Sequence, residues 1–143
     1  AAPPGRMESF RTAGGALAFD DYAHTPDALA KVLEAARRHA RGRLAVVFGC
    51  GGERDPGKRA PMGAIAERLA DRVFVTDDNP RGEDPEAIVA AVLAGMSAPA
   101  RAWIERDRAA AIAAALAESA AGDVVVVAGK GHERVQVVGR EAR

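Results

Sequence analysis

Residues 44–49, Leu-Ala-Val-Val-Phe-Gly, form a continuous apolar run that ends in glycine. A second glycine, Gly42, lies just before the run, so the apolar segment is short and sharply bounded. Such a segment is typical of a strand that is buried on both faces. Strands of this kind occur in parallel sheets covered by helices, and the run therefore points to an α/β domain.

Helical and extended patterns alternate along the rest of the chain. Thr25 is the expected N-cap of a helix with Pro26 in its first turn, and this helix is expected to extend to about Arg41. Further helices are expected at residues 61–70, 85–94 and 106–121, and further strands at residues 73–76, 102–104 and 124–128. The alternation predicts a Rossmann-like, mostly parallel sheet of about six strands with helices on both faces.

The two ends of the chain depart from this alternation. Residues 7–11 and 16–20 are short extended candidates on either side of Gly14-Gly15, which predicts a hairpin or two neighbouring strands. Residues 135–138 follow the preceding strand too closely for a crossover, so we expect an antiparallel strand at or near an edge. Residues 1–6 have the composition of a linker, which predicts that residues 7–143 are one domain of a longer protein.

Composition restricts the classes of partner. The chain has 143 residues, enough for one domain, and its 20 basic and 20 acidic residues balance. A balanced chain has no overall field that attracts nucleic acid or an anionic membrane, so neither is an expected partner and any anion site must be local. The chain has no signal-like leader and no apolar run of the roughly 20 residues that a membrane-spanning helix needs. We therefore expect a cytoplasmic protein.

The single cysteine, Cys50, cannot form an internal disulfide. It ends an apolar run and has no activating partner beside it in sequence, which favours a small buried thiol over a nucleophile. Three histidines far apart in sequence and one cysteine do not make a compact zinc site. The isolated aromatic residues Tyr22 and Trp103 are expected to pack rather than to stack on a base.

Three of the predicted strands run into glycine-rich or polar loops, at residues 49–55, 77–81 and 129–133. Open parallel sheets bind ligands outside the carboxyl ends of their strands, so all three loops are expected to face one crevice. The middle loop is the most informative, because Pro80 ends the strand abruptly and holds its neighbours in a turn. Asp78 and Asn79 then offer acceptors for an ammonium group, and Arg81 offers a two-pronged donor for a carboxylate. This set complements a free amino acid.

The other two loops are open to two interpretations each. Gly51 and Gly52 allow an anion close to the backbone and Arg54 adds charge, but glycines also suit a tight strand-to-helix turn. Glu133 can accept from an ammonium group, or its loop can be an exposed connection whose charges are merely solvated. Neither loop is a Walker phosphate loop, since Gly57-Lys58 is followed by arginine.

An acidic and histidine-containing turn precedes the first helix. His24 and Thr25 lie at the expected helix N-terminus, where backbone amides favour anions. Thr25 and Asp27 are also explained as ordinary capping residues. Capping does not explain Asp21 and His24, which favours a nucleotide or phosphate contact for these two.

Together these motifs resemble the C-terminal domain of the Mur ligases, ATP-dependent enzymes that lengthen the peptide of the bacterial cell-wall precursor. The resemblance covers nearly the whole chain, through Pro4-Gly5-Arg6-Met7-Glu8, Asp21-Tyr22-Ala23-His24-Thr25-Pro26, Gly51-Gly52-Glu53-Arg54-Asp55 and Gly129-Lys130-Gly131-His132-Glu133. It is strongest for the members that add meso-diaminopimelate to UDP-N-acetylmuramoyl-alanyl-glutamate. In that family the sequence Asp78-Asn79-Pro80-Arg81 marks diaminopimelate as the incoming amino acid, and lysine-adding relatives lack the arginine.

The resemblance implies roles for individual residues. Those expected to hold diaminopimelate are Arg54, Asp78, Asn79, Arg81, Gly129 and Glu133, with Arg81 across the cleft from Glu133. Those expected to reach ATP are Arg6, Asp21 and His24. The family's UDP-sugar site, its ATP-binding glycine-lysine loop and its Mg²⁺ ligands belong to two other domains that this sequence does not contain.

We therefore expect this chain to form no amide bond alone, with ATP, Mg²⁺ and the UDP-linked dipeptide bound mainly by the other domains. Three alternatives stay open at this point. The domain can belong to a lysine-adding ligase or to a folylpolyglutamate-type ligase, or it can be a non-catalytic nucleotide-binding α/β module.

Overall fold

A computed structural model describes residues 8–52 and 56–129. Its strands are β1 (Glu8–Arg11), β2 (Leu17–Asp21), β3 (Leu44–Phe48), β4 (Arg72–Val75), β5 (Trp103–Ile104) and β6 (Val124–Ala128). Its α-helices are α1 (Pro26–Arg37), α2 (Arg59–Leu69), α3 (Pro85–Leu93) and α4 (Arg108–Ala117), and short 3-10 helices lie at Pro56–Lys58 and Pro99–Arg101. The strand expected at residues 135–138 lies outside the described residues.

The six described strands form one sheet in the order β1-β2-β6-β3-β4-β5. All neighbouring pairs are parallel except β1 and β2, which are antiparallel around the turn at Gly14-Gly15. The predicted α/β fold with a mostly parallel sheet is therefore confirmed. β3 and β6 lie at the centre, where every one of their residues is buried, as the apolar run at residues 44–48 indicated.

Helices cover both faces of the sheet because alternate strand residues point to opposite sides. On one face, Val46 and Phe48 pack with the apolar residues of α1, α2 and α3. On the other face, Ala45 and Val47 pack with α4. The apolar residues of β3 therefore join two cores, one on each side of the sheet. Within the described residues, the structure contains no helix long and apolar enough to cross a membrane.

Two helices are shorter than expected. α1 ends at Arg37 rather than near Arg41, because the amides of Arg41 and Gly42 donate to the carbonyl of Gly122 at 2.9 and 2.8 Å. A helix that continued through these residues would have to use the same amides for its own hydrogen bonds. The turn before β6 therefore ends α1. The residues in this contact are 80 or more positions apart in sequence.

α4 covers residues 108–117 rather than 106–121. The Asp107 carboxylate accepts from the amides of Ala109 and Ala110 and so places the N-cap one residue into the expected helix. At the other end, the amide of Ala120 donates to the side chain of Asp123 at 3.0 Å rather than continuing the helix. Side-chain caps, which compete with backbone hydrogen bonds, thus define both ends of α4.

The same Asp123 joins two strands at the amino end of the sheet. Its carboxylate accepts from the amide of Arg43 at 2.8 Å as well as from Ala120. These two amides, with Ala120 contributing more, hold the pKa of the Asp123 carboxyl below its usual value of 3.8. The charged carboxylate is therefore favoured by the folded state over the unfolded chain.

This arrangement predicts an acid-sensitive contribution to stability. A carboxyl whose pKa is lowered by folding stabilises the fold fully at a pH above the pKa of the unfolded chain, here 3.8. That stabilisation is lost as the pH falls below 3.8 and through the lower pKa of the folded state. We expect Asp123→Asn to lower the free energy of unfolding by about 1–2 kcal/mol at pH 7, with the difference from wild type shrinking towards pH 3. Urea unfolding at pH 7, 5 and 3 measures this. Glu34→Gln, at an exposed position of α1, is the matched control, and an equal loss in the two variants at pH 7 contradicts the assignment.

Candidate functional site

A cavity lies at the carboxyl ends of four parallel strands. The residues that line it come from the turn after β2, the loops after β3, β4 and β6, and the 3-10 helix before α2: Tyr22, His24, Gly51, Lys58, Asp78, Asn79, Arg81 and Gly129. The predicted convergence of three loops on one crevice is therefore confirmed for their described parts. This edge is where an open parallel sheet is expected to bind its ligand.

The loop after β4 has a strained backbone. Asn79 and Arg81 have φ angles of 30° and 54°, in the left-handed region that non-glycine residues seldom adopt. Each such residue costs of order 1–3 kcal/mol, and residues of this kind cluster at functional sites. Pro80 between them limits how the turn can relax, because its own φ is locked near −65°. The turn therefore needs contacts from outside itself to keep its shape.

The glycine loop after β3 supplies those contacts. The amide of Gly52 donates to the carbonyl of Asn79 at 3.0 Å, and the Arg81 Nη1 donates to the carbonyl of Gly52 at 2.9 Å. The two loops approach so closely that a Cβ on Gly52 would overlap the carbonyl oxygen of Pro80. Glycine is required at this position because of that approach, as a tight turn predicts. The approach of an anion to this loop stays a prediction.

The two adjacent aspartates after β4 have different surroundings. Asp77 accepts from Arg106 Nε at 2.6 Å, and the neighbouring Thr76 hydroxyl donates to the Arg106 carbonyl at 3.2 Å. Asp77 thus holds the start of the loop that precedes α4, whereas Asp78 lines the cavity. This separation is consistent with the sequence-based choice of Asp78 over Asp77.

The turn before α1 brings two rings to the cavity. The Thr25 hydroxyl accepts from the amide of Ala28 at 3.2 Å, so Thr25 is the N-cap as predicted. His24 Nδ1 lies 3.0 Å from the carbonyl of Tyr22, and the two rings make an edge contact with their centroids 5.1 Å apart. An Nδ1 proton donated to this carbonyl leaves Nε2 as an acceptor.

Tyr22, which the sequence predicts to pack rather than to stack on a base, has a largely exposed side chain. It is 55% exposed and lines the cavity. Asp21 is the last residue of β2, and its carbonyl accepts from the amide of Gly129 at 3.0 Å. Of the described residues predicted for the site, Asp21 alone does not line the cavity. It is still part of β2, and the turn that reaches the cavity begins at Tyr22.

Cys50 directly precedes Gly51, which lines the cavity. It is buried, and its sulfur lies 3.7 Å from that of Met62. Burial raises the pKa of the Cys50 thiol to about 11, so the group is protonated at neutral pH. The interpretation of Cys50 as a buried core residue is consistent with this environment.

The structure thus brings together five of the nine predicted site residues: His24, Asp78, Asn79, Arg81 and Gly129. Arg6, Arg54 and Glu133 lie outside the described residues, so the placement of Arg81 opposite Glu133 stays a prediction. Lys58, which sequence reasoning did not select, adds a cation to the cavity wall. Its sequence signal was its position between the glycine loop and α2. No group of three potential metal ligands occurs among residues 8–52 and 56–129.

Fold and cavity together define an α/β domain with a polar cavity at the carboxyl edge of its sheet. The sequence model of the family described as "Mur ligase, glutamate ligase domain" matches residues 5–131. The chain belongs to this family.

Individual relatives agree with the family match. A UDP-N-acetylmuramoyl-L-alanyl-D-glutamate–2,6-diaminopimelate ligase of Parasynechococcus marenigrum (strain WH8102) is 55% identical over 143 residues, which cover 96% of this chain and 29% of that protein. The enzyme of the same name from Xylella fastidiosa (strain 9a5c) is 63% identical over 118 residues, covering 82% of this chain and 24% of that protein. A solved structure of a ligase of this name superposes with a TM-score of 0.86 at 44% identity, covering 99% of this chain and 32% of the other. The chain spans less than a third of the length of these relatives.

The two loop glycines allow a direct test of the site geometry. A Cβ on Gly51 would meet the end of the Arg81 side chain, 3.1 Å away at Nη1, and a flexible side chain can move. The nearest backbone atoms, the carbonyl oxygens of Asp78 and Asn79, lie at an ordinary contact distance of 3.8 Å. A Cβ on Gly52 would meet the rigid carbonyl of Pro80. We expect Gly51→Ala to change the melting temperature by less than about 3 °C and Gly52→Ala to cost about 3 kcal/mol.

Thermal unfolding of the two variants, followed by circular dichroism, measures this difference. Equal melting temperatures for the two alanine variants would show that the loops do not approach each other in this way.

Proposed function

We propose that this chain is the amino-acid-binding domain of a longer ATP-dependent ligase that adds meso-diaminopimelate to UDP-N-acetylmuramoyl-L-alanyl-D-glutamate. The observation that carries the proposal is the arrangement at the cavity, where Arg81 lies beside Asp78 and Asn79 in a turn held by the glycine loop. The names of relatives that are 55–63% identical support the choice of reaction. The bacterial cytoplasm as its compartment stays a prediction.

Arg81 is suited to bind a carboxylate. Its Nη1 donates to Gly52, and no described residue accepts a hydrogen bond from its Nε or Nη2. The side chain is exposed at the cavity, so these nitrogens are available to a ligand. A guanidinium binds a planar carboxylate through two parallel hydrogen bonds, which a lysine ammonium cannot do.

The other polar groups of the cavity complement the remaining parts of diaminopimelate. Asp78 accepts from an ammonium group, and the Asn79 amide both donates and accepts. Glu133 and Arg54, outside the described residues, are proposed to complete this set. Lysine lacks the second carboxylate of diaminopimelate, so its binding would leave the Arg81 hydrogen bonds unmade. In a closed site such a loss disfavours the wrong substrate by several kcal/mol.

The role of the domain in the reaction is to hold the attacking amine. ATP, when bound, supplies the phosphoryl group that activates the glutamate side-chain carboxyl of the precursor. The diaminopimelate amine then forms the new amide bond, and phosphate leaves. Holding the amine in line with the activated carbon converts a chance encounter into a nearly unimolecular step.

We assign His24 at the N-terminus of α1, with Asp21 and Arg6, to the wall that ATP contacts. The amides at a helix N-terminus and a histidine ring suit phosphate oxygens. We propose that Mg²⁺ binds in another part of the longer enzyme, as the family resemblance implies.

Substitution of Arg81 tests the amino-acid site. In the full-length ligase we expect Arg81→Ala to raise the KM for diaminopimelate by about 10- to 100-fold, because a charge-assisted pair contributes roughly 1.5–3 kcal/mol. The KM for ATP should change by less than about twofold. Arg81→Lys keeps the charge but loses the two-pronged guanidinium, so its KM for diaminopimelate should lie between those of wild type and Arg81→Ala.

The control for this test is Arg38→Ala, at an exposed position directly after α1. Calorimetric titration of diaminopimelate gives the affinity independently of turnover. Unchanged affinity of the Arg81→Ala enzyme refutes the proposed site.

Amino-acid selectivity separates the proposal from its alternatives. The proposed ligase uses diaminopimelate in strong preference to lysine and glutamate. A lysine-adding or folylpolyglutamate-type ligase would prefer one of the other two. A non-catalytic module would bind a nucleotide and be indifferent to all three.

The proposal also predicts that this chain alone does not ligate. Residues 1–143, incubated with ATP, Mg²⁺, diaminopimelate and the UDP-linked dipeptide, should form no tripeptide product, because ATP and the dipeptide are assigned mainly to other domains. Chromatography of the nucleotide precursors measures the product, with the full-length enzyme as positive control. Tripeptide formation by residues 1–143 contradicts this division of roles.

A further inference from the structure

An ion pair between a buried arginine and a half-buried glutamate lies beside the two loops that shape the cavity. Arg59, the first residue of α2, is only 5% exposed. Its guanidinium donates to both carboxylate oxygens of Glu83, Nη1 to Oε2 at 3.0 Å and Nη2 to Oε1 at 2.8 Å. Its Nη2 also donates to the carbonyl of Gly51 at 3.2 Å. One cation thus connects α2, the glycine loop after β3 and the segment that follows the loop after β4.

Glu83 transmits this connection to the strained turn. It follows Arg81 by two residues, and its own amide donates to the carbonyl of Pro80 at 3.0 Å. Arg59 therefore holds Gly51 on one side and, through Glu83, the turn at residues 79–81 on the other. The left-handed conformations of Asn79 and Arg81 persist only if surrounding contacts determine them.

Neither member of the pair lines the cavity. Both therefore act on a ligand only through the residues that they position. An ion pair with a buried member is weak evidence for stability as such, because removing the Arg59 charge from water offsets much of its attraction to Glu83. Its position between two ligand-facing loops supports a role in setting their geometry.

We propose that the Arg59–Glu83 ion pair is a positioning device that sets the affinity of the cavity for the incoming amino acid by holding Arg81 and the glycine loop in register. This inference rests on the proposed function and adds to it two residues outside the cavity wall.

Glu83→Gln in the full-length ligase tests the proposal, since the amide keeps the shape of the side chain but removes its charge. We expect the KM for the amino acid to rise about tenfold, while the KM for ATP stays within twofold of wild type. A rise in both KM values by the same factor contradicts a specific effect on the amino-acid loops.

The chain offers a matched control pair. Arg72 and Glu118 form another two-pronged ion pair, with Nε to Oε1 at 2.8 Å and Nη2 to Oε2 at 3.1 Å. It joins the start of β4 to the residue after α4, at the opposite end of the strand from the cavity. Glu118→Gln should leave the KM for the amino acid unchanged, whatever its effect on the melting temperature. Equal KM values in the two glutamine variants overturn the proposal.

A double substitution distinguishes an effect through Arg81 from a general structural effect, through the KM for the amino acid. If Glu83 acts through Arg81, adding Glu83→Gln to an Arg81→Ala enzyme should raise the KM by less than twofold, because the positioned group is already absent. A full tenfold rise in the Arg81→Ala background shows that the pair acts by another route and refutes the inference.

The outcomes also separate this inference from the proposed function. If the unmutated enzyme prefers another amino acid, the proposed substrate is wrong, and the same variants are then measured with the amino acid that it uses. If it uses diaminopimelate but Glu83→Gln and Glu118→Gln behave alike, only the positioning role is wrong.

Discussion

The contact between Gly52 and the turn at residues 79–81 is the constraint on which the whole site depends. A hydrogen bond from the Gly52 amide to Asn79 and a close approach to Pro80 join the loops that follow two adjacent parallel strands. Together with the Arg59–Glu83 ion pair, this contact supports the left-handed conformations of Asn79 and Arg81. With it, Arg81 is held at the cavity while part of its guanidinium stays available to a ligand.

Polar side chains make different contacts at the two ends of the sheet. At the amino end, Asp71 accepts from the Leu44 amide and from Arg37, while Asp123 accepts from two other amides, so the charged groups there cap the backbone and join strands. At the carboxyl end, the polar residues lie around a cavity, and the backbone that holds them is strained. Backbone strain at one end of the sheet is tolerated only if the rest of the fold is stable enough to offset it. Here β3 and β6 are buried between two apolar layers, which supply that stability.

The sequence predicted the order and type of the elements because each carries a local signal. The apolar run at residues 44–48, the cap at Thr25 and the turn at Gly14-Gly15 all depend on neighbours in the chain, and all are found. The ends of α1 and α4 were wrong by about four residues. Long-range partners decide where α1 stops, namely the carbonyl of Gly122 for the amides of Arg41 and Gly42, and such partners leave no signal near the helix end.

The candidate site divides in the same way. The sequence by itself determined which loops line the cavity, because the strands of a parallel sheet end at one edge and their loops converge there. It also determined that an acid, an amide and a guanidinium lie close together at residues 78–81, because these residues are neighbours in the chain. Only the tertiary structure decided that Asp77 pairs with Arg106 while Asp78 faces the cavity, that Tyr22 is exposed beside His24, and that Arg59 is buried against Glu83. These distinctions depend on distances between segments that are far apart in sequence, and only the packed fold brings those segments together.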